Sequence, residues 1–101
     1  MEALILNQKQ INFSDHYLIR ASQRGISEKA IMLLMKYGSV IKKQGLQFWC
    51  ITNKELRYVA PKYRKKLKNL VAVMAADRTL ITCYKNHNGI KNIKKKSKYL
   101  K

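Results

Sequence analysis

Apolar positions between residues 14 and 37 recur at helical spacing. Ser14 stands in front of the first run as an N-cap, with Asp15 in the first turn, where the helix dipole favours an acid. The run predicts a helix through His16 to about Arg24, with Tyr17, Leu18 and Ala21 toward the core. Gly25 suits the left-handed position that ends many helices. Ser27 caps a second helix, Glu28 to Tyr37. Ala30, Ile31, Leu34 and Tyr37 share one face of it, and Met32, Leu33 and Met35 widen that face. Gly38 is expected to end this helix as Gly25 ends the first.

After Gly38 the period falls from 3.6 to two. Ser39–Lys43 and Leu46–Thr52 flank Gln44-Gly45 and read as a β-hairpin, with Phe48 and Trp49 on opposite faces and one of them in the core. Asn53 caps a short helix over Lys54–Val59, and Pro61 restarts or breaks it. Leu70–Ala76 is an apolar strand, Asp77-Arg78 a turn, and Thr79–Lys85 its partner. Residues 86–89, Asn-His-Asn-Gly, carry turn chemistry. Residues 1–13 read as an arm or an edge strand, and 91–101 as a basic tail. Two helices, a hairpin, a short helix and a second hairpin make an α+β domain. A length of 101 residues fits one such domain, with its core over 14–90.

Composition narrows the partners. The chain has 22 Lys and Arg against 5 Asp and Glu, a formal net charge of +17. That excess calls for a polyanion: nucleic acid first, a membrane surface second, an acidic protein third. The shortage of acids excludes more. Glu2, Asp15, Glu28, Glu55 and Asp77 are scattered, whereas two-metal nucleases and paired-carboxylate hydrolases need converging carboxylates. Cys50, Cys83, His16 and His87 lack zinc-ligand spacing, so no metal and no cofactor is expected. The cysteines read as small core residues of a cytoplasmic protein. No 18-residue apolar run and no signal-peptide pattern is seen, so no membrane segment is expected.

His16, Arg20 and Arg24 fall at i, i+4 and i+8 and share one helix face. An imidazole moves protons near neutral pH, and guanidinium groups hold a phosphate and the charge it gains in a transition state. The same spacing also fits a solvated basic face. Metal-free cleavage is feasible for RNA, which carries its own 2′-OH nucleophile. Thr82 and Tyr84 share a face of the last strand and are candidates to orient a substrate, and His87 is a candidate second proton-transfer group. Lys42, Lys43, Lys62, Arg64, Lys65, Lys66, Lys68, Lys91, Lys94, Lys95 and Lys96 are candidate phosphate contacts, which position RNA without reading its sequence.

The segment FSDHYLIRASQRGISEKAIMLLMKYG, followed by LITCYKN, resembles a bacterial domain-of-unknown-function family that begins His-x3-Arg-x3-Arg-Gly-Ile-Ser. That family is grouped with the barnase–EndoU–colicin–RelE superfamily of RNase toxins. The resemblance spans about residues 13–96; its first motif is His16, Arg20, Arg24, Gly25, Ile26 and Ser27. It implies two N-terminal helices on a curved four-stranded antiparallel sheet, as in RelE-like proteins. It also implies a metal-independent endoribonuclease toxin held by an acidic antitoxin, acting on RNA such as ribosome-bound mRNA. The implied active-site positions are His16, Arg20 and Thr82, with Arg24 and Tyr84 beside them; the long basic tail and Cys83-Tyr84 depart from the family pattern. Two alternatives stand beside this reading: a non-catalytic RNA-, DNA- or ribosome-binding module, and a mobile-element protein that binds an acidic host protein.

Overall fold

A computed structural model describes residues 3–6 and 9–95, with side chains from Ile11 onward other than those of Asn92 and Lys95. The first two elements are strands, β1 (Ala3–Leu6) and β2 (Lys9–Phe13). Two helices follow, α1 (Asp15–Arg24) and α2 (Glu28–Tyr37), and then the hairpin β3 (Ser39–Lys43) and β4 (Leu46–Cys50). Short helices α3 (Asn53–Leu56) and α4 (Pro61–Leu67) lead into β5 (Leu70–Ala75) and β6 (Thr79–Lys85), and α5 (Gly89–Lys95) comes last. The α+β class holds. The described sheet has six strands rather than four, in the order β1-β2-β6-β5-β4-β3.

The extra strands come from the N-terminal segment. β1 and β2 pair antiparallel, and β2 joins the edge of β6 in parallel through Asn12↔Thr79 and Phe13↔Leu80. Ile11 and Phe13 are fully buried, which anchors this segment in the core. Ile11 and Phe13 alternate with the polar Asn12, so of the two readings of this segment, arm or edge strand, the structure shows the strand.

The capping chemistry is as the residue types suggest. The Ser14 hydroxyl accepts from the Tyr17 amide and the Ser27 hydroxyl from the Ala30 amide. Gly25 is left-handed at φ 64°, and its N–H closes α1. Gly38 differs: it is extended, at φ −86°. It is glycine because a Cβ there would run into the carbonyl oxygens of Leu34 and Cys50. Thr52, not Asn53, caps α3, in a reciprocal capping box with Glu55.

Apolar side chains cover both faces of the sheet. On one face α1, α2 and α4 bury Tyr17, Ala21, Ile31, Leu34 and Leu67 against Leu70, Ala72, Met74, Leu80 and Cys83. On the other, Ile93 of α5 is fully buried among Phe48, Cys50, Val71 and Val73, with Ile90 and Tyr84 packed around it. Phe48 therefore belongs to the second layer, while Trp49 packs against the first. The segment read as the start of a basic tail is thus a helix to Lys95. Lys91 and Lys94 face solvent while Ile90 and Ile93 sit one turn apart on the sheet. Among the described residues, no helix is long and apolar enough to cross a membrane.

Candidate functional site

β2 leaves the edge of β6 after Phe13, and α1 takes over that edge. The Ser14 amide donates to the Leu80 carbonyl at 3.1 Å, and the Ser14 hydroxyl donates to the Ile81 carbonyl at 3.1 Å. At the other end of the helix, Arg24 Nη1 donates to the Cys83 carbonyl at 2.9 Å. Ile81 is the extra residue where the β5–β6 register shifts, a bulge that turns the edge toward the helix. Between the two attachments Tyr17 stacks on Phe13, with ring centroids 5.3 Å apart. Burial, and then Cys83 beside it, pushes the Tyr17 phenol far above its usual range, so it stays neutral. The helix is stapled to the sheet at both ends, which holds its outer face in a fixed place.

That face carries the first motif. His16 is exposed and Arg20 half-buried, one turn apart. Each step of four residues advances about 40° around the helix. The stripe therefore rotates from solvent at His16 toward the sheet at Arg24. Arg24 remains exposed, but one of its nitrogens is committed to the β6 backbone.

Thr82 and Tyr84 lie behind the sheet. They pair with Val73 and Val71, whose side chains belong to the α5 layer, while Cys83 between them faces α1. Tyr84 packs against the cluster around Ile93, and burial, followed by the nearby Cys50, pushes its phenol up. The structure therefore does not gather His16, Arg20, Arg24, Thr82 and Tyr84 into one site: a covered sheet divides the first three from the last two. His87 is also remote from His16. Ser14 attaches near the start of β6, whereas His87 follows its end, exposed in a turn. There it lines a hollow of about 290 Å³ together with Lys91.

The basic residues divide in the same way. Lys62, Lys65 and Lys66 project from α4 and Lys68 follows its last residue, all exposed, on the α1–α2 layer. Lys62 lies over the Tyr63 ring, 5.1 Å from its centroid. Arg64 has another task. Its Nε donates to the Val59 and Leu56 carbonyls at 2.9 and 3.1 Å, and Nη2 donates to the Arg57 carbonyl at 3.1 Å. It closes the carbonyl end of α3, so two of its three nitrogens already have partners. Lys42 is exposed and Lys43 half-buried on β3. Lys91 and Lys94 are exposed on α5, in the opposite layer; Lys95 ends that helix, and Lys96 lies outside the described residues.

Sequence reasoning missed Tyr58. It is 71% exposed, in the turn between α3 and α4, next to Arg57 and close in the chain to Lys62. A large aromatic surface left in solvent beside cations is what base stacking uses. The sequence reading set it within a helix over Lys54–Val59, whereas α3 ends at Leu56 and leaves Tyr58 in a turn.

Burial raises the thiol pKa of both Cys50 and Cys83, and both are free. Arg24 pulls the Cys83 value down, but not enough to reverse the shift. Neither thiol is poised as a nucleophile near neutral pH. Among the described residues no three of His, Cys, Asp and Glu lie together. No family model, curated protein or solved structure matches the chain.

Proposed function

We propose that this protein acts on RNA in the cytoplasm as a metal-independent endoribonuclease of the toxin kind. The observation that supports it is the stapled α1 face, where His16 stands in solvent with Arg20 one turn away. In this reading His16 takes the 2′-OH proton, and that oxygen attacks the adjacent phosphorus. Arg20 holds the phosphate as its charge rises, and the bond to the 5′-oxygen of the next nucleotide breaks. The oxygen that leaves takes a proton from the imidazolium or from water, and the RNA ends as a 2′,3′-cyclic phosphate. The α4 lysines hold flanking phosphates and Tyr58 stacks a base. The acidic antitoxin proposed as partner would cover the same cations.

The test is purified protein with single-stranded RNA in excess EDTA. Cleavage persists in EDTA and leaves cyclic phosphate ends. His16→Ala slows it at least about 100-fold, the usual loss for a proton-transfer group. Cleavage that needs a divalent ion, or a fully active His16→Ala protein, overturns the mechanism.

One observation favours a second reading, a non-catalytic RNA-binding module. With His87 beyond the far end of β6 and Tyr84 behind the sheet, neither of these candidate groups stands beside His16. RNA binding that weakens in Arg20→Ala, with no cleavage by any variant, establishes this reading instead.

A further inference from the structure

The structure assigns the hollow between α5 and the end of the sheet to a single nucleotide, bound free or as an unstacked residue of RNA. The hollow lies where β5 begins and β6 ends, and the first turn of α5 forms one side. Its volume, about 290 Å³, is near the lower bound of about 300 Å³ for small-molecule sites, which suits one ring system and its sugar. Leu70, Val71 and Ile90 supply apolar surface, and Asn69, His87 and Lys91 supply polar groups.

Three properties together select a nucleotide. The apolar part accepts the face of a planar ring. The Asn69 side-chain amide carries a donor and an acceptor, and Asn86, whose Oδ1 already accepts from the Asn88 backbone, keeps its NH2 donor; such groups pair with base edges. The charge is one-sided: Lys91 lines the hollow, and among the described residues no Asp or Glu does, so it favours an anion. The rim is held in shape. The Asn86 backbone N–H donates to the Asn69 backbone carbonyl at 2.9 Å, and the Asn88 backbone N–H donates to Asn86 Oδ1 at 2.9 Å. The choice of a nucleotide over other planar anions rests on the RNA reading above; the hollow shares no residue with α1.

The experiment titrates the ¹⁵N-labelled protein with each of the four ribonucleoside 5′-monophosphates and with ribose 5-phosphate, following the side-chain amide signals of Asn69 and Asn86. Asn69→Gly is the informative variant. Asn69 sits at φ 65°, a conformation glycine adopts freely, so the fold keeps its backbone and loses only the amide. At least one monophosphate gives saturable shifts of both amides. Ribose 5-phosphate binds at least about tenfold weaker, a loss of 1.4 kcal/mol. Asn69→Gly and Lys91→Gln each weaken the preferred nucleotide several-fold. Absence of saturable shifts at these amides, equal affinity for the sugar phosphate, or an unaltered Asn69→Gly protein overturns the assignment. Affinity for a single-stranded RNA oligonucleotide is measured in parallel. RNA binding with a silent hollow overturns the nucleotide site alone. Nucleotide binding without RNA binding keeps the site and removes the RNA reading.

Discussion

Residues of one type have taken different tasks here, and the backbone decides which. Arg20 faces outward, Arg24 ties α1 to β6, and Arg64 closes α3. Spacing placed Arg20 and Arg24 on one face, but it carries no information about a carbonyl 59 residues away. The two helix-ending glycines diverge in the same way. Gly25 needs its left-handed φ, so Gly25→Ala costs about 1 kcal/mol. Gly38 needs the absence of a Cβ, because α2 and β4 approach it with rigid carbonyls rather than yielding side chains. Gly38→Ala therefore costs more, about 3 kcal/mol, since either backbone must shift. Urea denaturation of the two variants checks this; equal losses would show that the clash at Gly38 relaxes.

At the scale of elements, much of the local chemistry was legible, though α3 is capped by Thr52 rather than Asn53 and ends at Leu56. Ser27 to Tyr37 and the Gln44-Gly45 hairpin appear where caps and turn residues mark them. The N-terminal segment read as an arm or an edge strand without its partner, and α5 read as a turn and a tail, because each owes its place to a distant surface. β2 depends on the free edge of β6, and α5 on the second face of the sheet. A clue to that second face was present: β5 reads LVAVMA, apolar without alternation, as in a strand covered on both sides.

The short α3 carries a testable electrostatic device. Partial burial alone would raise the Glu55 carboxyl, but hydrogen bonds from the Ser39 hydroxyl and from the amide and hydroxyl of Thr52 reverse this and lower its pKa. The unfolded chain then binds the proton more readily than the folded one. Glu55 contributes stability above the ordinary glutamate value of 4.5 and loses it as pH falls through the lowered value. Wild type exceeds Glu55→Gln in stability near pH 7, and the two converge below pH 4.5. Glu55→Ala, which also breaks the capping box, costs about 1 kcal/mol. Thermal melts across that pH range test the sign: a gap that widens in acid contradicts it.

Across the whole molecule, covering both sheet faces sends the cations to two separate layers. The +17 charge is thus not one uniform field. His16, Arg20 and the α4 lysines belong to the α1–α2 layer, while Lys91 and Lys94 belong to the α5 layer beside the hollow. Salt dependence separates their contributions. Each phosphate neutralised on single-stranded RNA adds about 0.7 to the slope of log affinity against log salt. If the RNA backbone lies along α4, replacing Lys62, Lys65, Lys66 and Lys68 with Gln lowers that slope by about 3. Arg64→Gln, which loses bonds to three backbone carbonyls, lowers thermal stability and leaves the slope within one phosphate contact of wild type. Lys94→Gln also leaves it there when the bound oligonucleotide is too short to reach the second layer. A longer RNA that reaches the hollow makes Lys91 and Lys94 count, so the slope of wild type rises with RNA length while that of Lys91→Gln/Lys94→Gln rises less. Filter binding over a salt series with RNAs of two lengths measures these differences. A slope indifferent to the α4 lysines at both lengths places the RNA elsewhere.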